Sequence, residues 1–286
     1  MTITIRDIDA NGFTFRCREA GPAGGEPVIL LHGFPETSHM WVELLPRLAE
    51  AGYRCLAPDQ RGYSPGARPL EVAEYGTDNL VADVAALAGA AGIAAPYHLV
   101  GHDWGAGVGW RFVASHADKL ASWTALSIPH PGSYGRAYAE DPDQQQRSQY
   151  ITFFQQPGAA EEMLLANDAA ALKAVWDKSS PEEVEEYTSI LTAPGALTSA
   201  LNWYRANFGG GAQDPAASQF EVTTPTLTIW GNQDQAVGRA TTLTHNNFMK
   251  GPNKWLELDA GHWLVQEKLD TVSSEILAHL KAHPAR

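Results

Sequence analysis

The chain has 286 residues, of which 44% are hydrophobic and 19% are charged, and its formal net charge at pH 7 is −13. The length and composition are those of an ordinary globular protein with a full core. The negative charge argues against nucleic acid and against an anionic membrane surface as partners, because both need a basic face. The sequence has no apolar stretch of membrane-spanning length and no signal-peptide pattern, so we expect a cytoplasmic protein, as a monomer or homodimer.

The first half of the chain alternates between strand and helix patterns. Two alternating strands, at residues 2–8 and 13–19, flank Asn11-Gly12, which is a strong hairpin signal. Apolar runs typical of buried parallel strands follow at 27–31, 53–57, 97–100 and 120–128, and helical patterns lie near 41–51 and 79–90. This alternation predicts an α/β fold with a mostly parallel sheet and helices on both faces.

The pattern changes between about residues 130 and 220, where only helical stretches occur. These stretches are 161–167, 169–176, 181–190 and 197–207, and Gly209-Gly210-Gly211 indicates a flexible exit. Strands resume at 226–230 and 254–258, before a closing helix at 271–282. We therefore predict an α/β core formed by 1–129 and 221–286, with a helical cap at 130–220 over the carboxyl ends of the strands, where ligands bind in such sheets.

The two cysteines, Cys17 and Cys55, both lie in apolar runs that are predicted to be strands. We expect buried, reduced thiols rather than a disulfide. The chain has no Cys/His cluster with metal-ligand spacing and no phosphate-binding glycine motif, so neither a metal nor an organic cofactor is expected.

The most informative motif is Gly101-His102-Asp103-Trp104-Gly105, which stands between a predicted strand and a predicted helix. Strand, Gly-x-nucleophile-x-Gly and helix form the sharp turn called a nucleophile elbow, which usually presents a serine. The carboxylate of Asp103 needs no activating base, because its ordinary pKa is about 3.9. It can attack a saturated carbon in line and form an ester with the enzyme.

A nucleophile on this scaffold is followed along the chain by an acid and then by a histidine. Asp234 comes just after the predicted strand 226–230, and His262 follows the last strand. Both lie where loops leave the same edge of the sheet, so we predict a triad of Asp103, Asp234 and His262. Asp259 is the alternative acid, and a helix-capping role for Asp234 is the alternative to catalysis.

The loop after the third predicted strand carries His32-Gly33-Phe34-Pro35. The backbone N–H groups of Phe34 and Trp104 are predicted to form an oxyanion hole for the tetrahedral species that appears when the enzyme ester is hydrolysed. An aromatic residue before proline in a tight loop also favours a cis bond before Pro35.

Taken together, these motifs resemble those of the α/β-hydrolase superfamily, in the branch of epoxide hydrolases and dehalogenases that use an aspartate nucleophile. The resemblance spans nearly the whole chain and rests on His32-Gly33-Phe34-Pro35, Asp59-Gln60-Arg61-Gly62-Tyr63-Ser64, the elbow pentapeptide, Asp234 and Gly261-His262. It implies the fold and the chemistry of Asp103, but it does not separate epoxides from alkyl halides.

Residues of the predicted cap distinguish an epoxide substrate from an alkyl halide. Epoxide hydrolases carry two cap tyrosines that donate hydrogen bonds to the epoxide oxygen, and the segments around Tyr150 and Tyr204 resemble those of that family. Ring opening makes an alkoxide that must be protonated, and a phenol with a pKa of about 10 can supply the proton at neutral pH. The remaining cap tyrosines, Tyr134, Tyr138 and Tyr187, are expected to be core or surface residues.

The alternatives fit less well. Haloalkane dehalogenases often have an asparagine at the position of Phe34 to bind halide, and haloacid-type members have arginines just after the nucleophile, where this chain has none before Arg111. A non-catalytic binding protein of this fold would have lost a triad member, and an esterase or peroxidase would need the missing serine. The resemblance therefore implies hydrolysis of an epoxide to a vicinal diol, with a hydrolytic dehalogenase as the alternative.

The predicted partners are a small hydrophobic epoxide and water, with no metal and no cofactor. Aromatic and apolar residues near the motifs indicate a hydrophobic substrate. The predicted substrate-binding residues are His32, Pro35, Phe153, Trp203 and Trp263.

Overall fold

The structure is a computed structural model that describes residues 2–208 and 218–285. Its centre is an eight-stranded sheet with the order β1-β2-β4-β3-β5-β6-β7-β8. The strands are β1 (Thr4–Ala10), β2 (Phe13–Ala20), β3 (Glu26–Leu31), β4 (Tyr53–Pro58), β5 (Tyr97–His102), β6 (Leu120–Leu126), β7 (Thr226–Gly231) and β8 (Asn253–Leu258). β2 pairs antiparallel with β1 and with β4, and every other pairing between neighbours is parallel.

The central strands are buried along most of their length because helices cover both faces of the sheet. All six residues of β5 and of β7 are buried. The covering helices are α1 (Leu44–Glu50), α2 (Thr77–Ala90), α3 (Trp104–His116) and α10 (Leu264–Ala282). α1 packs with α10 and α2 packs with α3, so the α/β architecture predicted from the alternating pattern is confirmed.

Within the described residues, six α-helices lie between β6 and β7, and we call them the helical insert. They are α4 (Pro131–Glu140), α5 (Pro142–Arg147), α6 (Gln149–Phe154), α7 (Ala159–Val175), α8 (Pro181–Leu191) and α9 (Ala196–Phe208). Residues 131–208 contribute no strand to the sheet. The glycine run predicted as a flexible exit, Gly209-Gly210-Gly211, lies outside the described residues.

The helices α4, α5 and α6 were not predicted from the sequence. Pro131 and Pro142 look like helix breakers, yet each occupies the first turn of its helix, where a missing N–H costs nothing. α7 was predicted as two helices, and its backbone does depart from helical angles at Ala166, Asn167, Asp168 and Ala169. The last helix begins at Leu264 rather than at residue 271.

Several side-chain contacts attach the helical insert to the sheet-bearing core, and three of them lie on different helices of the insert. Arg147 at the end of α5 donates from Nη1 to the carbonyl oxygen of Asp234 at 2.8 Å. On α8, Glu186 accepts from Nη2 of Arg18 at 2.8 Å. On α9, the indole N–H of Trp203 donates to the carbonyl oxygen of Arg61 at 2.9 Å. These three contacts hold the insert to the core at separate places.

Cys17 and Cys55 are buried free thiols, as predicted. Burial raises the pKa of Cys55 to about 12, so this thiol is unreactive at neutral pH. Across residues 2–208 and 218–285, no helix is both long enough and apolar enough to cross a membrane.

Candidate active site

The elbow places Asp103 between β5 and α3 in a strained backbone conformation, with φ 50° and ψ −119°. Close packing on both sides explains the flanking glycines. A Cβ added at Gly105 would lie 2.1 Å from the carbonyl oxygen of Leu31, and one at Gly101 would lie 2.4 Å from the carbonyl oxygen of Gly105. Any larger side chain would push strand and helix apart, so the glycines hold the carboxylate of Asp103 at the edge of the sheet.

Two backbone amides bind the carboxylate of Asp103. The N–H of Phe34 donates to Oδ1 at 2.8 Å, and the backbone N–H of Trp104 also hydrogen-bonds this carboxyl group. Burial alone would raise the pKa of Asp103, but the hydrogen bond and charge of His262, together with the backbone N–H of Trp104, hold it below its usual value. The carboxylate is therefore an anion near neutral pH. The peptide bond between Phe34 and Pro35 is cis, as predicted.

His262 lies between two carboxylates. Its Nδ1 is 2.7 Å from Oδ2 of Asp234, and its Nε2 is 3.5 Å from Oδ2 of Asp103. Burial works to lower the pKa of His262, but the negative charge of Asp234 and the hydrogen bonds to both acids raise it well above its ordinary value. Asp259, the alternative acid, is exposed and instead accepts a hydrogen bond from Gln233.

The orientation of Asp234 is fixed by the turn that follows β7. Its Oδ1 accepts the backbone N–H groups of Ala236 and Val237 at 2.8 and 2.9 Å, while Oδ2 faces His262. Asp234 therefore caps the turn and orients the histidine at once, so the capping role and the catalytic role predicted as alternatives are compatible.

A second layer behind His262 was missed by the sequence analysis. His102 donates from Nε2 to the carbonyl oxygen of His262 at 2.9 Å, and its Nδ1 is 3.3 Å from Oε2 of Glu36. Both side chains are fully buried, and burial raises the pKa of Glu36. Because the motif letters before Asp103 and after Pro35 do not reveal which way these side chains point, the sequence alone gave no signal for this contact.

A cavity of about 750 Å³ opens above Asp103, between the sheet edge and the helical insert. Tyr150 on α6 and Tyr204 on α9 both line it, with ring centroids 6.2 Å apart. Burial raises the pKa of both phenols well above 10, so both are protonated at neutral pH. Apolar lining is supplied by Trp104, Ile128, Ile151, Phe208, Phe220 and Val237.

Tyr134 on α4 also lines the cavity, so the expectation that it is a core or surface residue is wrong. The position of α4 was not predicted, and this explains the error. Burial raises the pKa of Tyr134 to about 12, against a hydrogen bond with Ser148 that lowers it. Tyr187, in contrast, is a core residue whose hydroxyl lies 3.4 Å from both Glu36 and Glu183.

The five residues predicted to bind substrate do not line this cavity. His32 is fully buried below the loop, where its Nε2 accepts the backbone N–H of Gln60 at 3.0 Å, and burial lowers its pKa to about 4. Its position suits support of the loop rather than substrate contact.

The other four predicted substrate-binding residues pack against neighbouring side chains. Trp203 is 1% exposed, with its ring edge against Trp104. Trp263 packs on the rings of His102 and His262. Phe153 packs against Phe154, and Pro35 is buried in its loop. These four side chains therefore lie behind the residues that line the cavity.

A family model described as the α/β hydrolase fold matches residues 26–269, so the chain belongs to this family. Its similarity to epoxide hydrolases assigns it to the epoxide hydrolase branch of the family. It is 34% identical to the AB hydrolase superfamily protein YfhM of Bacillus subtilis, over 96% of each chain. It is also 34% identical to epoxide hydrolase A of Mycobacterium tuberculosis, over 97% of each chain. The crystal structure of epoxide hydrolase A from Mycobacterium thermoresistibile superposes with a TM-score of 0.83 at 28% identity, covering all of both chains.

Proposed function

We propose that this protein hydrolyses a hydrophobic epoxide to a vicinal diol through a covalent ester on Asp103. The observation that carries the proposal is that one cavity holds the ionised carboxylate of Asp103, paired with a histidine, and the protonated phenols of Tyr150 and Tyr204. The carboxylate and the histidine are suited to nucleophilic attack and to hydrolysis of the resulting ester. The phenols are suited to protonate the epoxide oxygen as the ring opens.

In the first half-reaction, Oδ2 of Asp103 attacks an epoxide carbon, and the ring C–O bond breaks. Oδ1 stays bound to the N–H of Phe34 and becomes the carbonyl oxygen of the ester. Tyr150 and Tyr204 bind the epoxide oxygen, and one of them gives its proton to the alkoxide. The phenolate recovers a proton from His262 or from water. The high pKa of both phenols, caused by burial, keeps these protons available at neutral pH.

In the second half-reaction, His262 takes a proton from water as the water oxygen adds to Cγ of Asp103. The amides of Phe34 and Trp104 bind the oxyanion that forms on Oδ1. The Cγ–Oδ2 bond then breaks, and the diol leaves with a proton from His262. Esterification neutralises one of the two carboxylates that raise the pKa of His262, so the histidine becomes a base at the step that needs one.

We further propose that residues 130–220 act as a cap. The insert supplies Tyr134, Tyr150 and Tyr204 to the cavity, whereas Asp103 and His262 come from the sheet-bearing core, so the chemistry needs both parts. The two reduced, buried thiols support a reducing compartment, and we place the protein in the cytoplasm on that basis.

A matched assay with styrene oxide, a bromoalkane and fluoroacetate tests the proposal. We expect diol from styrene oxide and little halide release from the other two, with all activity lost in Asp103→Asn. The control is Asp259→Asn, which changes an exposed acid near His262 that has no contact with it. Halide release that exceeds diol formation would identify a dehalogenase instead.

A further inference from the structure

The cavity extends along one face of α3 beyond the catalytic residues. Asp103, Gly107 and Arg111 all line it, and their spacing of four residues places them in one row on the helix. The rise of an α-helix separates Asp103 from Arg111 by about 12 Å along the axis. A Cβ at Gly107 would meet only the ring of Trp104, at 3.9 Å, so the floor between the two charged residues is open.

The end of the cavity near Arg111 is polar, unlike the aromatic end near Asp103. Thr77, Asp78 and Asn79 in the first turn of α2 line it together with Arg111. A substrate that fills the cavity thus has its epoxide among aromatic rings and its far end beside a guanidinium group.

Arg111 is only partly engaged by its neighbour. Its Nε and Nη2 both contact the same oxygen of Asp78 at 3.1 Å, and Nη1 makes no hydrogen bond to any residue that the structure describes. The side chains of Arg111 and Asp78 are 39% and 83% exposed. An ion pair so exposed contributes little stability, so a ligand anion can exchange with Asp78.

We propose that Arg111 recognises an anionic group at the end of the substrate remote from the epoxide. The substrate class is a hydrophobic epoxide whose alkyl chain ends in a carboxylate, and the fork of the guanidinium binds that carboxylate. This inference rests on the proposed epoxide hydrolysis. It makes Arg111 a specificity-determining residue. The carboxylate of Asp78 competes with the substrate carboxylate, because both accept hydrogen bonds from the same guanidinium group.

The test compares a medium-chain ω-epoxy carboxylate with its methyl ester, which has the same epoxide and no charge. The measured quantity is the ratio of kcat/KM for the acid to that for the ester. Arg111→Gln should lower this ratio about tenfold, the size of one charge-assisted hydrogen-bonded pair. Asp78→Asn should raise the ratio, because it removes the competing anion. Added salt should lower the ratio of the wild type by screening.

The matched control is Arg47→Gln. Arg47 is 37% exposed and pairs with an exposed acid, Asp270, as Arg111 does with Asp78, but it does not line the cavity. Its variant should keep the ratio of the wild type. If the ratio is unchanged in both Arg111→Gln and Asp78→Asn while both substrates are turned over, the proposed role of Arg111 is wrong but the proposed epoxide hydrolysis is not affected. Failure of the wild type to hydrolyse either epoxide would instead overturn the proposed function.

Discussion

The backbone N–H of Phe34 donates to Oδ1 of Asp103 over 2.8 Å, so the two oxygens of this carboxylate are not equivalent. In the proposed mechanism, Oδ1 occupies the oxyanion hole before any substrate is bound. Oδ2 faces His262 and is the oxygen proposed to attack. The hydrogen bond from the loop after β3 thus helps to orient the proposed nucleophile for both half-reactions.

A single turnover in water enriched in heavy oxygen tests this division of roles. Water adds to Cγ of Asp103, and the bond to Oδ2 breaks, so the first diol carries an oxygen from the enzyme. We expect the heavy isotope in the peptide that contains Asp103, measured by mass spectrometry, and none in the diol. Label in the diol from the first turnover would show direct attack of water on the epoxide.

The variant His262→Gln should separate the two half-reactions. It retains Asp103 for attack but has no base to activate water, so the ester should accumulate after one burst of substrate consumption. The intact mass should rise by the mass of the whole substrate, because ring opening loses no atoms. The control His116→Gln changes a histidine outside the cavity and should turn over normally. Absence of the adduct in His262→Gln, with substrate still bound, would contradict the covalent route.

Removal of either phenol hydroxyl should slow alkylation of Asp103. Tyr150→Phe or Tyr204→Phe should each lower kcat/KM for an epoxide by about 10²- to 10³-fold, as expected for loss of a general acid. The double variant should form no measurable diol. Tyr138→Phe is the control, since Tyr138 belongs to the same insert and does not line the cavity. Undiminished turnover in the double variant would contradict the role of both tyrosines.

Gly33→Ala should disable the site without involving a catalytic group. The added Cβ would lie 2.4 Å from both Cβ and Oδ1 of Asp103, so the loop or the elbow must move and the hydrogen bond from Phe34 is lost. We expect kcat to fall at least 100-fold, by analogy with loss of one oxyanion-hole donor. The control Gly89→Ala, at a helical position with open space, should retain activity and gain about 1 kcal/mol in the free energy of unfolding. Full activity of Gly33→Ala would show that the loop is not held by this contact.

Mild acid should destabilise the protein through its buried histidines. Burial lowers the pKa of His32, His98, His245 and His279 to about 4 and that of His130 to about 3, from an ordinary value of 6.5. Between pH 6.5 and 4 the unfolded chain binds protons that the folded chain does not, so stability is present above this range and is lost as the pH falls.

Each of these histidines contributes at most about 1.4 kcal/mol per pH unit in that window. His262 acts in the opposite sense, because its raised pKa gives stability that is lost as the pH rises through it. We therefore expect a lower midpoint of urea unfolding at pH 5 than at pH 7. Equal midpoints would mean that these histidines are not held neutral in the folded state.

The sheet and its catalytic loops could be predicted from the sequence because both follow from local patterns. Apolar runs predicted the buried strands, Asp103 directly follows β5, and His262 lies in the loop after β8. The order of the three members of the proposed triad along the chain then limited the candidates. Strand ends of a parallel sheet meet at one edge whatever the details of packing, so these loops had to converge.

The walls of the cavity could not be predicted in the same way. Tyr134 and Arg111 line it only because α4 and α3 have particular orientations toward the space below the insert. Trp203 and His32 carry the side chains that a substrate pocket often has, but hydrogen bonds to backbone groups turn them into supports. Whether a side chain lines the cavity or supports its wall depends on long-range packing, which the spacing of residues in the sequence does not reveal.

The attachments of the helical insert to the core also bear on the rate of turnover. A hinge motion that lifts the insert would have to break the contacts from Arg147, Glu186 and Trp203 in concert, and the first of these would disturb the loop that holds Asp234. Rotation of exposed side chains around the mouth is far less costly and takes place within nanoseconds. We therefore expect substrate and product to pass through the existing opening of the cavity without movement of the insert. The chemical steps, rather than a gating motion, should then limit the rate of turnover.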